Sequence, residues 1–460
     1  MHTYLKTPPI SPAARLPWND YPAPVLAVLF LWVGFYQALA GGTIDRGHFG
    51  LLFVGLVVGA CVSFWLFYSV PAKLGMQTGL PVAVLGSSTF GSRGGQVIPG
   101  PLAGLLLTVW FGVAVFYAGD LVLRALGLPA EGLTVPFIVV AVAWAAGTAA
   151  LGCRGGRFLW RLATLVSALL ALTLLAVFYF ARLGLPQHGL DLPEPYAAFT
   201  LTVQLVVAFF ATIAIASPAL GMFHRGKRDV LLTGLLAIVV PSIFAGYLAL
   251  LSVAGAKGQN PNIEGFGFIQ AAIGLGGYVG LLTPWLLLVG SVPAAAIYAS
   301  MATDSIGVML PSWSRLRIVL LVAVGGVVLA LSRVPQNLQF LITLTGALAA
   351  PVCGITAADY WSHDRRWPHT RPGVNYAGFA AWIIGALVGI LPLLPIPEYL
   401  LLVAHPSALY AWLAGFVAYV VLGNLGLKPY RKHRRHRSRQ EWAEPSPSSA
   451  GHAKQPSPQA

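Results

Sequence analysis

The chain has 460 residues, of which 57% are hydrophobic and only 9% charged, and its mean hydropathy is +0.76. An ordinary soluble domain carries about 25% charged residues and a disordered chain fewer apolar ones, so both classes are excluded in favour of a polytopic membrane protein. The net charge of +14 would suggest nucleic-acid binding in a soluble protein, but here the basic residues sit at the ends of apolar runs and set topology, so no nucleic-acid partner is expected.

Residues 1–23 contain Pro8, Pro9, Pro12 and Pro17 and no apolar run, which predicts a cytoplasmic segment and not a cleaved signal peptide. Runs of about 20 mainly apolar residues, the length that crosses a hydrocarbon core, then predict an all-α chain of about twelve transmembrane helices. The first five are expected at Pro24 to Ala40, Phe49 to Val70, Ile98 to Leu126, Leu133 to Leu151 and Phe158 to Ala181. The next five are expected at Phe199 to Met222, Val230 to Ala256, Tyr278 to Ser300, Ile318 to Leu331 and Leu338 to Ala357. Val374 to Leu394 and Tyr399 to Leu425 complete the set, and a basic, Pro/Ser-rich stretch, 428–460, is expected to be a disordered tail beside anionic lipid headgroups.

Basic residues alternate between the two sides of this arrangement. Arg46, Arg124, Arg182, Lys257 and Arg333 fall on one side, and every other Lys and Arg falls on the other. By the positive-inside rule both termini are cytoplasmic. Cys61, Cys153 and Cys353 are too far apart for a disulfide framework or a metal-ligand spacing.

Charged residues are nearly absent from the spans. Asp120 and Arg124 lie four apart at the end of the third span, His405 is the one histidine inside an expected span, and no H-E-x-x-H, G-x-S-x-G or Walker A string occurs. The chain therefore reads as a non-enzyme. What the interior offers is broken helix: Gly34 and Gly41-Gly42 in and after span one, and Ser217-Pro218 in span six, at corresponding places in two successive five-helix halves. Aromatic faces stand nearby at Trp110, Phe209 and Phe210, where a flat heterocycle could stack. The polar candidates are Gln37, Thr108, Thr212, Ser217 and Ser291, which suit a small neutral substrate.

Several strings, in order, resemble the nucleobase-cation symporter family, the cytosine/purine/hydantoin permeases. They are Gly41-Gly42-Thr43, Ala72 to Leu80, Ser88-Thr89-Phe90-Gly91, Trp110-Phe111-Gly112-Val113, Phe223-His224-Arg225, Ala296 to Ser300, Ala357-Ala358-Asp359-Tyr360, Arg365-Arg366 and Val374-Asn375. The last of these look most like cytosine permeases, and the likeness runs from about residue 24 to 425.

The resemblance implies a LeuT-like fold. Residues 24–183 and 198–360 would be inverted five-helix repeats, and 373–427 two peripheral helices, all within one permease domain, 24–427. It implies secondary transport in a bacterial inner membrane, with a nucleobase or hydantoin at the midplane. Trp110 matches the aromatic of span three, Phe210 that of span six with Phe209 beside it, and Ala208 a backbone contact, with Thr108 and Gln37 as polar neighbours. Sodium would lie between spans one and eight, at Ser291 and the carbonyls around Gly34, Gln37 and Ala38. The segment from Asn260 to Gly277 would hold a short capping helix.

The sequence also departs from the family. The second sodium hydroxyl is Val292, which leaves a hard cation one oxygen short, so coupling to sodium, to protons or to nothing stays open. The base-reading amide of span eight is Pro293, and the glutamine positions of span three are Leu107 and Ala114. A transporter-like sensor or scaffold, with the basic tail as its output, is the alternative reading.

Overall fold

The computed structural model describes residues 3–20, 22–187, 194–395, 397, 400 and 403–427. The expected basic tail, 428–460, lies outside them.

The first span is a broken pair, α1 (Pro22–Leu31) and α2 (Val33–Thr43), bent by 41° where Trp32 turns extended at φ −72° and ψ 141°. The break is thus at Trp32, two residues before the expected Gly34. α3 (Phe49–Thr78) is continuous through a wider π-helical stretch, Ser63–Tyr68, and is followed by α4 (Gly100–Ala125), α5 (Val135–Gly152) and α6 (Gly156–Ala181). The sixth span is also broken: α7 (Pro195–Ala214) gives way at Ile215 and Ala216 to the short α8 (Ser217–Gly221), whose second residue is Pro218. A proline there costs no ladder bond, because the first helical N–H groups have no partner in any case.

The chain continues through α9 (Lys227–Gln259), the short α10 (Phe268–Gly274), α11 (Gly277–Met309), α12 (Arg315–Leu331) and α13 (Leu338–Trp361). It continues to α14 (Tyr376–Gly389) and α15 (Ser407–Leu427). Among the described residues nine helices are long and apolar enough to cross a membrane, ten if α1 and α2 count as one. The expected twelve are not reached by that measure, because α12 and α14, at 17 and 14 residues, fall short. His405, expected inside the last span, precedes α15.

α4 and α7 form the centre: 83% and 89% of their most apolar stretches are buried, against 33% in α5. α4 packs against α11 and α12, α7 against α3 and α13, and α14 and α15 lie on α13. The outer surface carries large apolar side chains such as Leu105, Leu165, Leu281 and Val324, as a multi-pass membrane protein requires.

Residues 3–20 form a strap across the face that carries most of the basic side chains. Tyr4 Oη donates to the Ser92 carbonyl at 2.7 Å, the Ile10 amide to Gly79 at 2.9 Å, and the Leu16 amide to Phe223 at 2.7 Å. Beneath it α3 and α8 cross at their glycines. A Cβ on Gly75 would lie 2.2 Å from the Pro218 carbonyl oxygen, and one on Gly221 2.2 Å from that of Ala72, so only glycine permits the contact.

Candidate functional site

Where the α1/α2 break faces α4, α7 and α11, the interior is lined by aromatic rings. Trp110 meets Phe209 edge-on at 4.9 Å between ring centroids and lies nearly parallel to Tyr298 at 5.9 Å and 23°. Phe209 also touches Phe30 at 5.6 Å and Phe35 at 5.1 Å. All five rings are buried. Two polar atoms in this cage, Trp110 Nε1 and Tyr298 Oη, have no hydrogen-bond partner. An unpaired buried donor costs about 1–3 kcal/mol, so these two groups stand out in an otherwise apolar cage.

The structure separates the two adjacent phenylalanines. Phe210 turns away from Trp110, stacking on Phe30 at 5.8 Å and 17° and meeting Tyr68 at 6.4 Å. Of the polar candidates, Thr108 bonds back to the Gly104 carbonyl at 2.8 Å, with its methyl against Gly325 of α12. Ala208 packs on Gly346 of α13. Gln37 faces α10: its Nε2 donates to Gln270 Oε1 at 3.1 Å and its Oε1 accepts from the Ile269 amide at 2.9 Å. With the Tyr36–Phe268 edge contact at 4.7 Å, that closes the cage on the side opposite the strap. Thr212 and Ser217 are buried with unpartnered hydroxyls.

On the strap side a cavity of about 870 Å³ runs from the α7/α8 break, at Ala216 and Ala219, past Ser300 and Met301 to Arg161 and Asp304. Trp110 and Phe209 do not line it. The cavity therefore stops short of the ring cage.

The donor set around Ser291 does not suit a sodium ion. Its hydroxyl accepts the Trp32 indole N–H at 3.1 Å and donates to the Leu287 carbonyl at 2.9 Å. A cation needs oxygen lone pairs, and here an N–H points at the one side-chain oxygen available beside Val292. The Trp32 ring also lies against Gly34, where an added Cβ would fall 2.4 Å from ring carbon Cζ3.

Sequence reasoning missed Phe30, Phe35 and Tyr298 as members of the cage, and Trp32 packed against it. The available signal was the density of aromatics on both sides of Gly34. The shared strings, by contrast, mostly meet on the strap face. Asp359, Arg371, Asn375 and Tyr419 form a buried node: Asp359 Oδ1 accepts from Arg371 Nη2 and from Tyr419 Oη, each at 2.8 Å. Arg371 and Asn375 also donate to the carbonyls of Ser88 and Thr89.

No family model matches the chain. It is 26% identical over 397 residues to the cytosine permease of Escherichia coli (strain K12), covering 79% of this chain and 85% of the relative. It is 24% identical over 458 residues to the purine-uracil permease NCS1 of Arabidopsis thaliana, covering 86% and 75%. In fold it is similar to Mhp1, a nucleobase-cation-symport-1 family transporter, in a closed conformation with bromovinylhydantoin bound. That match has a TM-score of 0.69 at 17% identity over 93% of this chain and 98% of the other. The inward-facing conformation of Mhp1 matches with a TM-score of 0.67 at 18% identity over 92% and 96%. A sodium-coupled sialic acid symporter matches at 0.54, 13% identical over 89% and 90%. The fold is LeuT-like, the relatives are permeases and not enzymes, and the chain is similar to members of the nucleobase-cation symporter family.

Proposed function

We propose that this transporter carries a small, flat, neutral heterocycle of the nucleobase or hydantoin type, stacked in the cage around Trp110. The observation that carries this reading is the pairing of buried ring faces with two unpartnered polar groups, Trp110 Nε1 and Tyr298 Oη. Stacking adds about 0.5–1.5 kcal/mol per ring pair beyond area burial, and an indole N–H and a phenol suit ring carbonyls or ring nitrogens. The absence of a counter-charge among the rings fits a neutral ligand. Phe209 supplies the second wall, and Phe210 reaches the ligand if Phe30 moves aside. Ala208 and Thr108 act as packing support, and Gln37 as a closure on the α10 side.

The basic excess on the strap face supports a cytoplasmic orientation for that face, in an inner membrane whose lipids meet the apolar belt. In this reading 24–183 and 198–360 are the two repeats, 373–427 the peripheral helices and 428–460 a cytoplasmic tail. A sensor or scaffold role is not favoured, because the named relatives are transporters.

Thermal stabilisation of the purified protein by a panel of nucleobases, hydantoins and allantoin, followed by uptake into proteoliposomes, tests the reading. A stabilising compound should also be transported, and its effect should vanish in Trp110→Ala. Equal stabilisation of wild type and Trp110→Ala would remove the cage from the site, and stabilisation without uptake would restore the sensor.

A further inference from the structure

We infer that Trp32 stands in the place between the broken first helix and α11 where a coupling cation would sit, so that a hydrogen bond built into the chain does there what an ion would do. Three observations converge on this side chain. Trp32 is itself the residue at which α1 and α2 part, and its extended backbone turns the side chain back over Gly34. Its indole N–H reaches across to Ser291 of α11 at 3.1 Å, and neither residue is accessible to solvent. Its ring is also held on three sides by edge contacts: Trp110 at 6.3 Å, Tyr117 at 6.3 Å and Tyr298 at 6.0 Å.

The chemistry of the two arrangements is opposite in sign. A cation draws lone pairs toward itself from both helices and leaves when the site opens. An indole N–H presents a positive hydrogen to a single lone pair, and the remaining space is filled by hydrocarbon that a hydrated ion cannot share. The Ser291 hydroxyl hydrogen is already committed to Leu287, and the neighbouring hydroxyl a cation would need is Val292. Entry of sodium would have to expel a buried indole from three ring contacts and a hydrogen bond. The tie between α1/α2 and α11 is therefore permanent in composition, and its making and breaking do not depend on ion concentration. Because the same ring touches Trp110, the tie reports directly on the proposed substrate platform.

The geometry stands without the substrate proposal; only its meaning for coupling rests on that reading. The test accordingly needs no substrate. Thermal unfolding of the purified full chain is measured across a sodium chloride titration and a matched potassium chloride titration. The two curves should coincide, and a saturable stabilisation specific to sodium would overturn the inference. Ser291→Ala should lower the unfolding temperature equally in both salts, whereas a loss confined to sodium would mean that the hydroxyl serves an ion. The double variant Trp32→Gly/Val292→Thr, which empties the space and supplies the missing oxygen, should acquire a sodium-specific shift. A folded double variant indifferent to sodium would show that Trp32 does not stand in a cation's place. If a heterocycle that stabilises the protein is found, its apparent affinity in wild type should be the same in either salt.

Discussion

Trp110 and Phe209 meet edge to face with 4.9 Å between ring centroids, while the neighbouring Phe210 has its ring on Phe30. Successive residues on a helix point about 100° apart, so α7 can offer only one of its two phenylalanines to Trp110 in a given conformation. A ligand sliding between Trp110 and Phe209 must open this contact.

If stacking and the free indole N–H both contribute, the two parts can be separated by substitution. Trp110→Ala should abolish ligand-induced stabilisation and also lower intrinsic stability by about 3–5 kcal/mol, the usual cost of emptying a large buried site. Trp110→Phe keeps a ring and loses only the donor, so affinity should fall by roughly 3- to 10-fold, as for one neutral hydrogen bond. Calorimetric titration of both variants checks the split.

Arg371 and Asp359 form a buried ion pair, with side-chain exposures of 4% and 2%. Arg371→Met leaves the carboxylate buried without its cation and should cost about 3–5 kcal/mol. Arg371→Met combined with Asp359→Leu should recover much of that loss, because the desolvated charge is gone. Thermal unfolding of the single and double variants in detergent decides this.

Gln37 holds α10 through both ends of its amide. Gln37→Ala removes the acceptor of the Ile269 N–H, so that amide should exchange with deuterium faster while the interior of α4 stays protected. Unchanged exchange at Ile269 would show that Gln37 is not what fastens the cap.

His224 lies in the connection between α8 and α9, fully buried, with Nε2 at 2.9 Å from Tyr68 Oη. Burial pushes its pKa down to about 4, partly opposed by Asp229. The unfolded chain binds a proton at His224 near pH 6.5 and the folded chain only near 4, so stability is full above about pH 6.5 and falls as pH drops toward 4. The loss reaches about 3 kcal/mol at most. His224→Gln should flatten that part of the curve, read as the unfolding temperature against pH relative to wild type.

Much of the molecule was legible in the residues. Apolar length placed the helices because a backbone in hydrocarbon must satisfy its own hydrogen bonds; Ser217-Pro218 marked the second break, whereas the first falls at Trp32, two residues before Gly34. Trp110 was legible as a candidate through its family string, and the structure places it among buried rings. The other strings were legible as kinship but not as roles: Ser88, Asp359 and Asn375 are far apart in the chain and meet in one buried node. The choice between Phe209 and Phe210 depends on the rotation of α7, and the outward roles of Gln37, Thr108 and Ala208 on which helix each one faces.

The sequence by itself determined a membrane-spanning, all-helical chain with two broken helices and an uncharged interior, since these follow from local composition and spacing, and its family strings added the transporter reading. Only the tertiary structure decided that Trp32 folds back over Gly34 to reach Ser291, 259 positions along the chain. That contact has no periodicity or motif to announce it; it exists because a broken helix turns one large side chain toward a partner that the packing of other helices brings within hydrogen-bond reach.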